Sequence, residues 1–130
     1  MTRALKYPLS LLLALESGAC TSMWDPVYCT QNLVPGIVVE IQDKADGHPI
    51  ATTASGTVTE GSFADSLWTY ELLTPIEVIA RASAWERKGT YRVHVQRVGY
   101  ASWDTTGIRV TANECHVSTV RLKALLAPLP

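Results

Sequence analysis

The sequence predicts an all-β fold, a single Greek-key β-sandwich of about seven strands. Short runs rich in Val, Ile, Thr and aromatic residues recur along the chain at intervals of roughly ten residues. Gly and Pro residues separate these runs, as is typical of the turns of a sandwich. After the first twenty residues, no helical period of about 3.6 residues persists beyond one or two turns, which argues against a mainly helical domain.

The first predicted strand covers residues 34–43, where isoleucine and valine share one face and Glu40 and Gln42 the other. Residues 44–49 predict a turn, because an Asp-Gly pair supplies the left-handed backbone conformation of a tight reversal. This segment therefore predicts a half-buried strand that ends in a reversal of the chain.

Two further strands are predicted before the middle of the chain. Residues 50–60, rich in Thr and Val, predict the second strand, and residues 63–70 predict the third. The segment 72–86 is ambiguous. Within it, residues 76–82 fit either a strand whose alternation is blurred by Ile79 or a short helix.

The clearest strand pattern covers residues 90–96, in which Tyr and Val alternate with polar residues. Residues 103–111 predict the next strand, and residues 115–125 predict the last. The apolar positions change phase within this last segment. A bulge near residues 118–119 would reconcile the two phases.

The N-terminal segment has the layout of a bacterial export signal. Arg3 and Lys6 form a cationic start, residues 9–15 form a short apolar run, and residues 17–19 are small. The run is too short to span a bilayer as a helix, which takes roughly 20 apolar residues. We therefore expect export rather than a membrane-spanning helix.

The end of this segment resembles a bacterial lipobox, which predicts lipidation of Cys20. Ser17 stands where the pattern prefers Leu, and Glu16 places a charge at the end of the apolar zone. Two alternatives remain: an ordinary cleaved signal that releases the protein to the periplasm, and an apolar first helix or strand of the fold. We expect a protein anchored by its lipid to a membrane of the bacterial cell envelope.

The predicted organisation has four parts. Residues 1–19 are the signal peptide, residues 20–35 a tether, residues 36–126 the β-sandwich domain, and residues 127–130 a C-terminal tail. The predicted mature chain is about one domain long.

The three cysteines support export. If Cys20 is lipidated, Cys29 and Cys115 remain to form a disulfide, whereas an unlipidated Cys20 would leave an odd thiol. This disulfide would close a loop of about 87 residues, which the chain-entropy relation values at about 4–5 kcal/mol. The alternative is a pair of buried, unbonded thiols.

Charge and residue spacing argue against several function classes. Without the predicted signal, the chain has nine basic and eleven acidic residues, scattered along its length, so we expect no nucleic-acid partner. No two cysteines or histidines have a spacing typical of zinc ligands, and we expect no metal or cofactor.

Three motifs resemble the carboxypeptidase regulatory-like domain. They are the Asp-Gly-His-Pro-Ile turn at residues 46–50, the Gly-Thr-Tyr-Arg-Val-His-Val strand at 89–95, and the Gly-Tyr pair at 99–100. The resemblance covers about residues 35–125. It implies a prealbumin-like (transthyretin-like) β-sandwich that acts as a supporting or binding module, without catalytic residues.

An alternative function is that of a small hydrolase of the transthyretin-like type. Such enzymes use a set of His and Arg residues and end in a Tyr-Arg-Gly-Ser motif, whereas residues 126–130 read Leu-Ala-Pro-Leu-Pro. The three histidines, His48, His94 and His116, are dispersed, and we expect no shared site. The residues therefore favour a non-enzymatic module.

The tryptophans are the best candidates for ligand contact, because Trp stacks on sugars and is enriched at binding hot spots. Trp85 lies beside charged residues and is expected to be the most exposed, whereas Trp68 and Trp103 are expected more often in the core. Trp24 lies in the tether. The predicted ligand contacts are Trp85 and Trp68, with a protein or glycan as the partner.

Overall fold

A computed structural model describes residues 26–130 of the chain, which form two four-stranded β-sheets packed face to face. The predicted signal peptide (residues 1–19), the predicted lipidation site Cys20 and Trp24 lie outside the described residues. No helix in the described part of the chain has the length and apolar character needed to cross a membrane.

Eight strands make up the two sheets: β1 Pro35–Asp43, β2 Ser55–Glu60, β3 Phe63–Ser66, β4 Trp68–Thr74, β5 Glu77–Trp85, β6 Gly89–Gln96, β7 Trp103–Val110 and β8 Val120–Leu126. Sheet A has the order β4-β5-β1-β8, and sheet B has the order β3-β2-β6-β7. Strands β1 and β8 pair in parallel, whereas the other neighbours pair antiparallel. The predicted all-β sandwich is therefore confirmed.

The predicted third strand, residues 63–70, is two strands in two different sheets. Leu67 separates β3 in sheet B from β4 in sheet A. Its side chain is buried, and its backbone N–H donates to the carbonyl oxygen of Gly56. The chain thus changes sheets at one residue, which is why eight strands are found where about seven were expected.

Other boundaries differ from the prediction for local reasons. The ambiguous segment contains strand β5, so the short-helix alternative is wrong. A single 3₁₀ turn at Ala51–Thr53 precedes β2, so the strand predicted over residues 50–60 begins only at Ser55. Strand β8 begins at Val120, and an irregular segment with one bridge between Ala112 and Val117 precedes it. The change of phase near residues 118–119 therefore needs no bulge.

The core between the sheets is built from the predicted alternating positions. Ile37, Val39 and Ile41 of β1 are fully buried, and so are Val93 and Val95 of β6. Burying each such side chain contributes roughly 1.5–3 kcal/mol. The period-two pattern of these strands thus fixes which face of each sheet is turned inward.

Candidate functional site

Sheet A carries a second, smaller apolar cluster on its outer face, the side turned away from sheet B. Val38, Ala80 and Ala82 form this cluster, and all three are fully buried. Val38 lies opposite Ala82 in the register of β1 and β5, and Glu40 lies opposite Ala80. Because alanine side chains are short, they leave room for long side chains from neighbouring positions to lie over them.

Three aromatic side chains, which we call the aromatic patch, lie beside this cluster: Trp68, Tyr70 and Trp85. Trp85 packs against the cluster, and its ring meets that of Tyr70 edge-on at a centroid distance of 5.8 Å and an interplanar angle of 67°. Trp68 lies opposite Ala82 in the register of β4 and β5, and it is 59% exposed. Aromatic surface is thus presented to solvent on one sheet.

The backbone at the end of β5 positions Trp85. Ser83 is in register with Ile37, which faces the core, and the next residue, Ala84, is itself part of the main core. Two successive residues therefore face inward. Ala84 has a φ of 54°, in the left-handed region that non-glycine residues seldom adopt. This interruption of the alternation leaves Trp85 on the outer face.

Hydrogen bonds hold Trp68 in place. Its indole Nε1 donates to Oδ1 of Asp65 at 3.3 Å, and Oγ of the buried Ser83 donates to Oδ2 of the same carboxylate at 2.8 Å. The Asp65 carboxylate therefore links the exposed ring to the interior of the sandwich. A ring held in this way loses little conformational freedom when a ligand binds.

An ion-pair network lies on the same face. The Arg121 guanidinium donates to both carboxylate oxygens of Glu71 at 2.9 Å and to Oε1 of Glu40 at 3.3 Å. Arg121 belongs to β8 and Glu71 to β4, which are the two edge strands of sheet A, so their contact spans β1 and β5. The hydrogen bonds from Arg121 lower the pKa of Glu71, and this carboxyl group is therefore ionised at neutral pH.

The outer face of sheet A can therefore make two kinds of contact. The aromatic rings offer flat apolar surfaces for stacking. The carboxylates of Glu40 and Glu71 offer hydrogen-bond acceptors, and the guanidinium of Arg121 offers donors.

The structure corrects the sequence-based ranking of the tryptophans. Trp85 was expected to be the most exposed, but it is half-buried because it covers the small alanines. Trp68 was expected in the core, yet it is exposed because β4 is an edge strand. Trp103 packs against the main core, as predicted.

Tyr70 was missed by sequence reasoning, although the spacing Trp-x-Tyr on one strand is the signal that could have revealed it. Residues two apart on a strand share a face. That signal was obscured because residues 63–70 were interpreted as a single strand. In addition, the register of β4 and β5 shifts between Thr69 and Glu71.

At one end of the sandwich, Cys29 and Cys115 form the predicted disulfide, with a Cα–Cα distance of 5.2 Å. The alternative of two unbonded thiols is therefore wrong. Disulfides form and persist in oxidising compartments, so the bridge indicates a protein that resides outside the cytoplasm.

A hydrogen-bonded chain of three side chains lies next to this disulfide. Oγ1 of Thr30 is 2.9 Å from Nε2 of His116, and Nδ1 of His116 is 2.7 Å from Oε1 of Glu86. Thr30 and His116 directly follow the two bridged cysteines in sequence. These residues line an open cavity of about 500 Å³, whose wall also includes Lys88.

Glu86 is the fixed member of this chain. Its carboxylate also accepts the backbone N–H of Val34 at 2.7 Å and that of Val117 at 3.4 Å. Burial opposes ionisation of Glu86, but the hydrogen bonds from Val34, His116 and Val117 outweigh it and lower the pKa. The residue has a left-handed φ of 51°.

The other two histidines lie elsewhere. His94 is on the outer face of sheet B, where its Nδ1 is 3.0 Å from Oδ1 of Asp104. His48 is exposed in the turn that follows β1. Within residues 26–130, no group of three or more His, Cys, Asp or Glu side chains is arranged to hold a metal ion.

No protein-family model matches this chain, and no curated protein sequence matches it either.

Proposed function

We propose that this protein is a binding module of the bacterial envelope, which holds a glycan against the aromatic patch on the outer face of sheet A. The observation that carries the proposal is the exposed indole of Trp68, anchored by Asp65 on the same sheet as Tyr70 and Trp85. Leaving a large apolar side chain in water forgoes roughly 1.5–3 kcal/mol of burial free energy. An exposed ring with a fixed orientation is therefore well suited to a ligand.

The polar neighbours of the patch favour a glycan over a protein. Pyranose rings combine an apolar C–H face, which stacks on aromatic rings, with hydroxyl groups around the edge, which need hydrogen-bond partners. Arg121, Glu71 and Glu40 supply such partners on the same sheet face. The aliphatic residues at the centre of this face, Val38, Ala80 and Ala82, are fully covered, so they offer no apolar surface to a protein partner.

We further propose that the mature protein is lipid-anchored through Cys20 and that its fold is the Greek-key, prealbumin-like sandwich of the carboxypeptidase regulatory-like domain. The lipobox-like sequence supports the anchor, and the disulfide supports an exported protein. Mass spectrometry of the protein from its native envelope tests the anchor. We expect a chain that begins at an acylated Cys20, and a chain that begins at Met1 would contradict the proposal.

Glycan binding is tested with soluble oligosaccharides of glucose and of N-acetylglucosamine, by calorimetry and tryptophan fluorescence. We expect binding by the unchanged protein and, in a Trp68→Ala/Tyr70→Ala variant, at least tenfold weaker binding, which corresponds to about 1.4 kcal/mol. The matched control is Tyr28→Ala, because Tyr28 is a highly exposed aromatic residue outside the strands. Equal affinity in both variants would reject the aromatic patch as the site.

A protein partner is the alternative outcome. If none of the oligosaccharides binds, and the unchanged protein captures an envelope protein that Trp68→Ala/Tyr70→Ala does not, the aromatic patch is a protein-binding surface and the glycan proposal is wrong.

A further inference from the structure

The geometry points to Thr30 as a base-activated hydroxyl that accepts an acyl group from activated esters, with His116 as the base and Glu86 as the positioning residue. This activity goes beyond the proposed glycan binding. It also departs from the sequence-based expectation of a module without catalysis. It uses the disulfide-linked end of the sandwich and does not involve the aromatic patch.

The order of hydrogen bonds sets the direction of proton transfer. Ionised Glu86 can only accept, so Nδ1 of His116 carries the proton and donates across the 2.7 Å contact. In a neutral imidazole, Nε2 is then the acceptor. In the 2.9 Å contact between this nitrogen and Oγ1 of Thr30, the Thr30 hydroxyl therefore donates to the imidazole. A hydroxyl that donates to a base in this way is activated as a nucleophile.

Covalent and backbone constraints keep the three groups together. The disulfide bridges the residues immediately before Thr30 and His116, and therefore fixes the separation of these two otherwise distant segments. Two backbone N–H groups hold the Glu86 carboxylate. Glu86 also has a left-handed backbone, which is strained at a non-glycine residue, and such strain is concentrated at functional sites.

The cavity provides room for a substrate and groups that complement its charge. Thr30 and His116 line it together with Lys88, Gln31 and Asn32. An ammonium group and amide N–H groups are donors that can stabilise the oxyanion formed during acyl transfer. The fitting substrate class is an ester with a good leaving group and a short acyl chain, because the cavity is open and of modest volume.

The proposed reaction has two steps. In the first, Oγ1 of Thr30 bonds to the acyl carbon while its proton passes to Nε2 of His116. The bond from that carbon to the leaving oxygen breaks, and this oxygen takes the proton from Nε2. In the second step, a water molecule attacks the acyl-threonine, its proton passes through Nε2 to Oγ1, and the free carboxylic acid leaves.

The test uses the full-length protein and 4-nitrophenyl acetate, with nitrophenolate release followed by absorbance and acetylated peptides identified by mass spectrometry. We expect a burst of one nitrophenolate per protein and an acetyl group on Thr30. Thr30→Val is expected to abolish both, Thr30→Ser to retain the burst, and His116→Gln to slow acylation roughly 100-fold. The matched control, Thr106→Val on β7, is expected to behave like the unchanged protein.

The Glu86→Gln variant tests whether Glu86 positions His116 for catalysis or only stabilises the fold. Gln keeps an oxygen that can accept from Val34 and from His116 but lacks the charge that stabilises the imidazolium. We expect its melting temperature to stay close to that of the unchanged protein while acylation slows at least tenfold. Equal nitrophenolate release by the unchanged protein, Thr30→Val and His116→Gln, or acetyl groups on lysines alone, would overturn the proposal. In that case these contacts only tie the tether to the sandwich.

Discussion

Sheet A and sheet B each turn one face to solvent, and the two faces are covered in different ways. On sheet A, the central positions are Val38, Ala80 and Ala82, which are buried beneath side chains from other positions. Trp85 packs over them, and the ion pair of Arg121 with Glu71 connects the two edge strands. Long side chains therefore cover short ones.

On sheet B, the side chains of the outer face contact their immediate neighbours. Thr57 lies opposite His94, and Thr59 lies opposite Arg92. Arg92 and His94 both contact Asp104 on the adjacent strand. Threonine is β-branched and suits a solvated strand, but it leaves no space for a ring to lie flat over the strand.

The two outer faces differ in the residues at their centre. In sheet A, β1 and β5 bury apolar residues on the outer face as well as in the core, whereas β6 of sheet B alternates buried and solvent-facing residues. Small central residues such as Ala80 and Ala82 let aromatic side chains lie across the strands, which makes the outer face of sheet A available to a ligand.

The largest expected effect on stability is that of removing the Trp85 side chain from the outer face of sheet A. Replacing a fully buried Trp by Ala lowers the free energy of unfolding by about 3–5 kcal/mol. Because Trp85 is half-buried, we expect Trp85→Ala to lower it by less, about 2–3 kcal/mol. Urea unfolding measures this loss. The corresponding change on sheet B, Thr57→Ala, should stay within about 0.5 kcal/mol. Equal losses would remove the distinction between the faces.

The ion-pair network of sheet A should contribute less than Trp85. Arg121→Met keeps an aliphatic stem over the strands but leaves two carboxylates without their cation, and we expect a loss of about 1 kcal/mol. A double-mutant cycle with Glu71→Gln should assign most of that loss to this one pair. On sheet B, Arg92→Met should cost less, because Arg92 is more exposed and bonds only one oxygen of its partner. A larger loss for Arg92→Met would contradict the comparison.

Acid should weaken the sandwich through carboxylates, of which Glu71 lies on the outer face of sheet A and Asp104 on that of sheet B. Among the described residues, five carboxyl groups have a lowered pKa: Asp43, Glu60, Glu71, Glu86 and Asp104. Reference values for the unfolded chain are 4.5 for Glu and 3.8 for Asp. Because each folded value is lower, the stabilisation is complete at pH values above about 4.5 and is lost as the pH falls through the folded values.

Single substitutions can assign parts of this acid dependence to each sheet. Hydrogen bonds from Arg121 lower the pKa of Glu71 on sheet A, and those from Arg92 and His94 lower that of Asp104 on sheet B. Glu71→Gln and Asp104→Asn should each make unfolding free energy less dependent on pH below about 4.5. Urea unfolding at a series of pH values measures this, and an unchanged slope in both variants would contradict the assignment.

The smallest expected effect is that of His94→Ala on sheet B. His94 contacts Asp104 at the surface, and we expect a change within about 0.5 kcal/mol in unfolding free energy. Oligosaccharide affinity should be unchanged, because this side chain lies on the opposite sheet. Weakened oligosaccharide binding in His94→Ala would move the ligand site to sheet B.

Local patterns determined much of the fold in advance. The alternation in residues 90–96 correctly placed Tyr91, Val93 and Val95 inside, because period two is a property of any strand with one buried face. The pairing of Cys29 with Cys115 followed from parity once Cys20 was assigned to lipidation. Sequence reasoning missed the change of sheet at Leu67 and left residues 76–82 open between a strand and a helix. Both questions depend on which sheet receives the chain, and that is decided by contacts with distant strands.

The sequence by itself therefore determined the all-β class, most of the buried face and the disulfide, because these depend on neighbouring residues or on a count of cysteines. Only the tertiary structure decided that Tyr70 meets Trp85, that Arg121 reaches Glu71, and that Thr30, His116 and Glu86 form one chain of hydrogen bonds. Thr30 and His116 are 86 residues apart, and Arg121 and Glu71 are 50 apart. Contacts at such separations depend on strand order and register, which the alternation of a single strand does not encode.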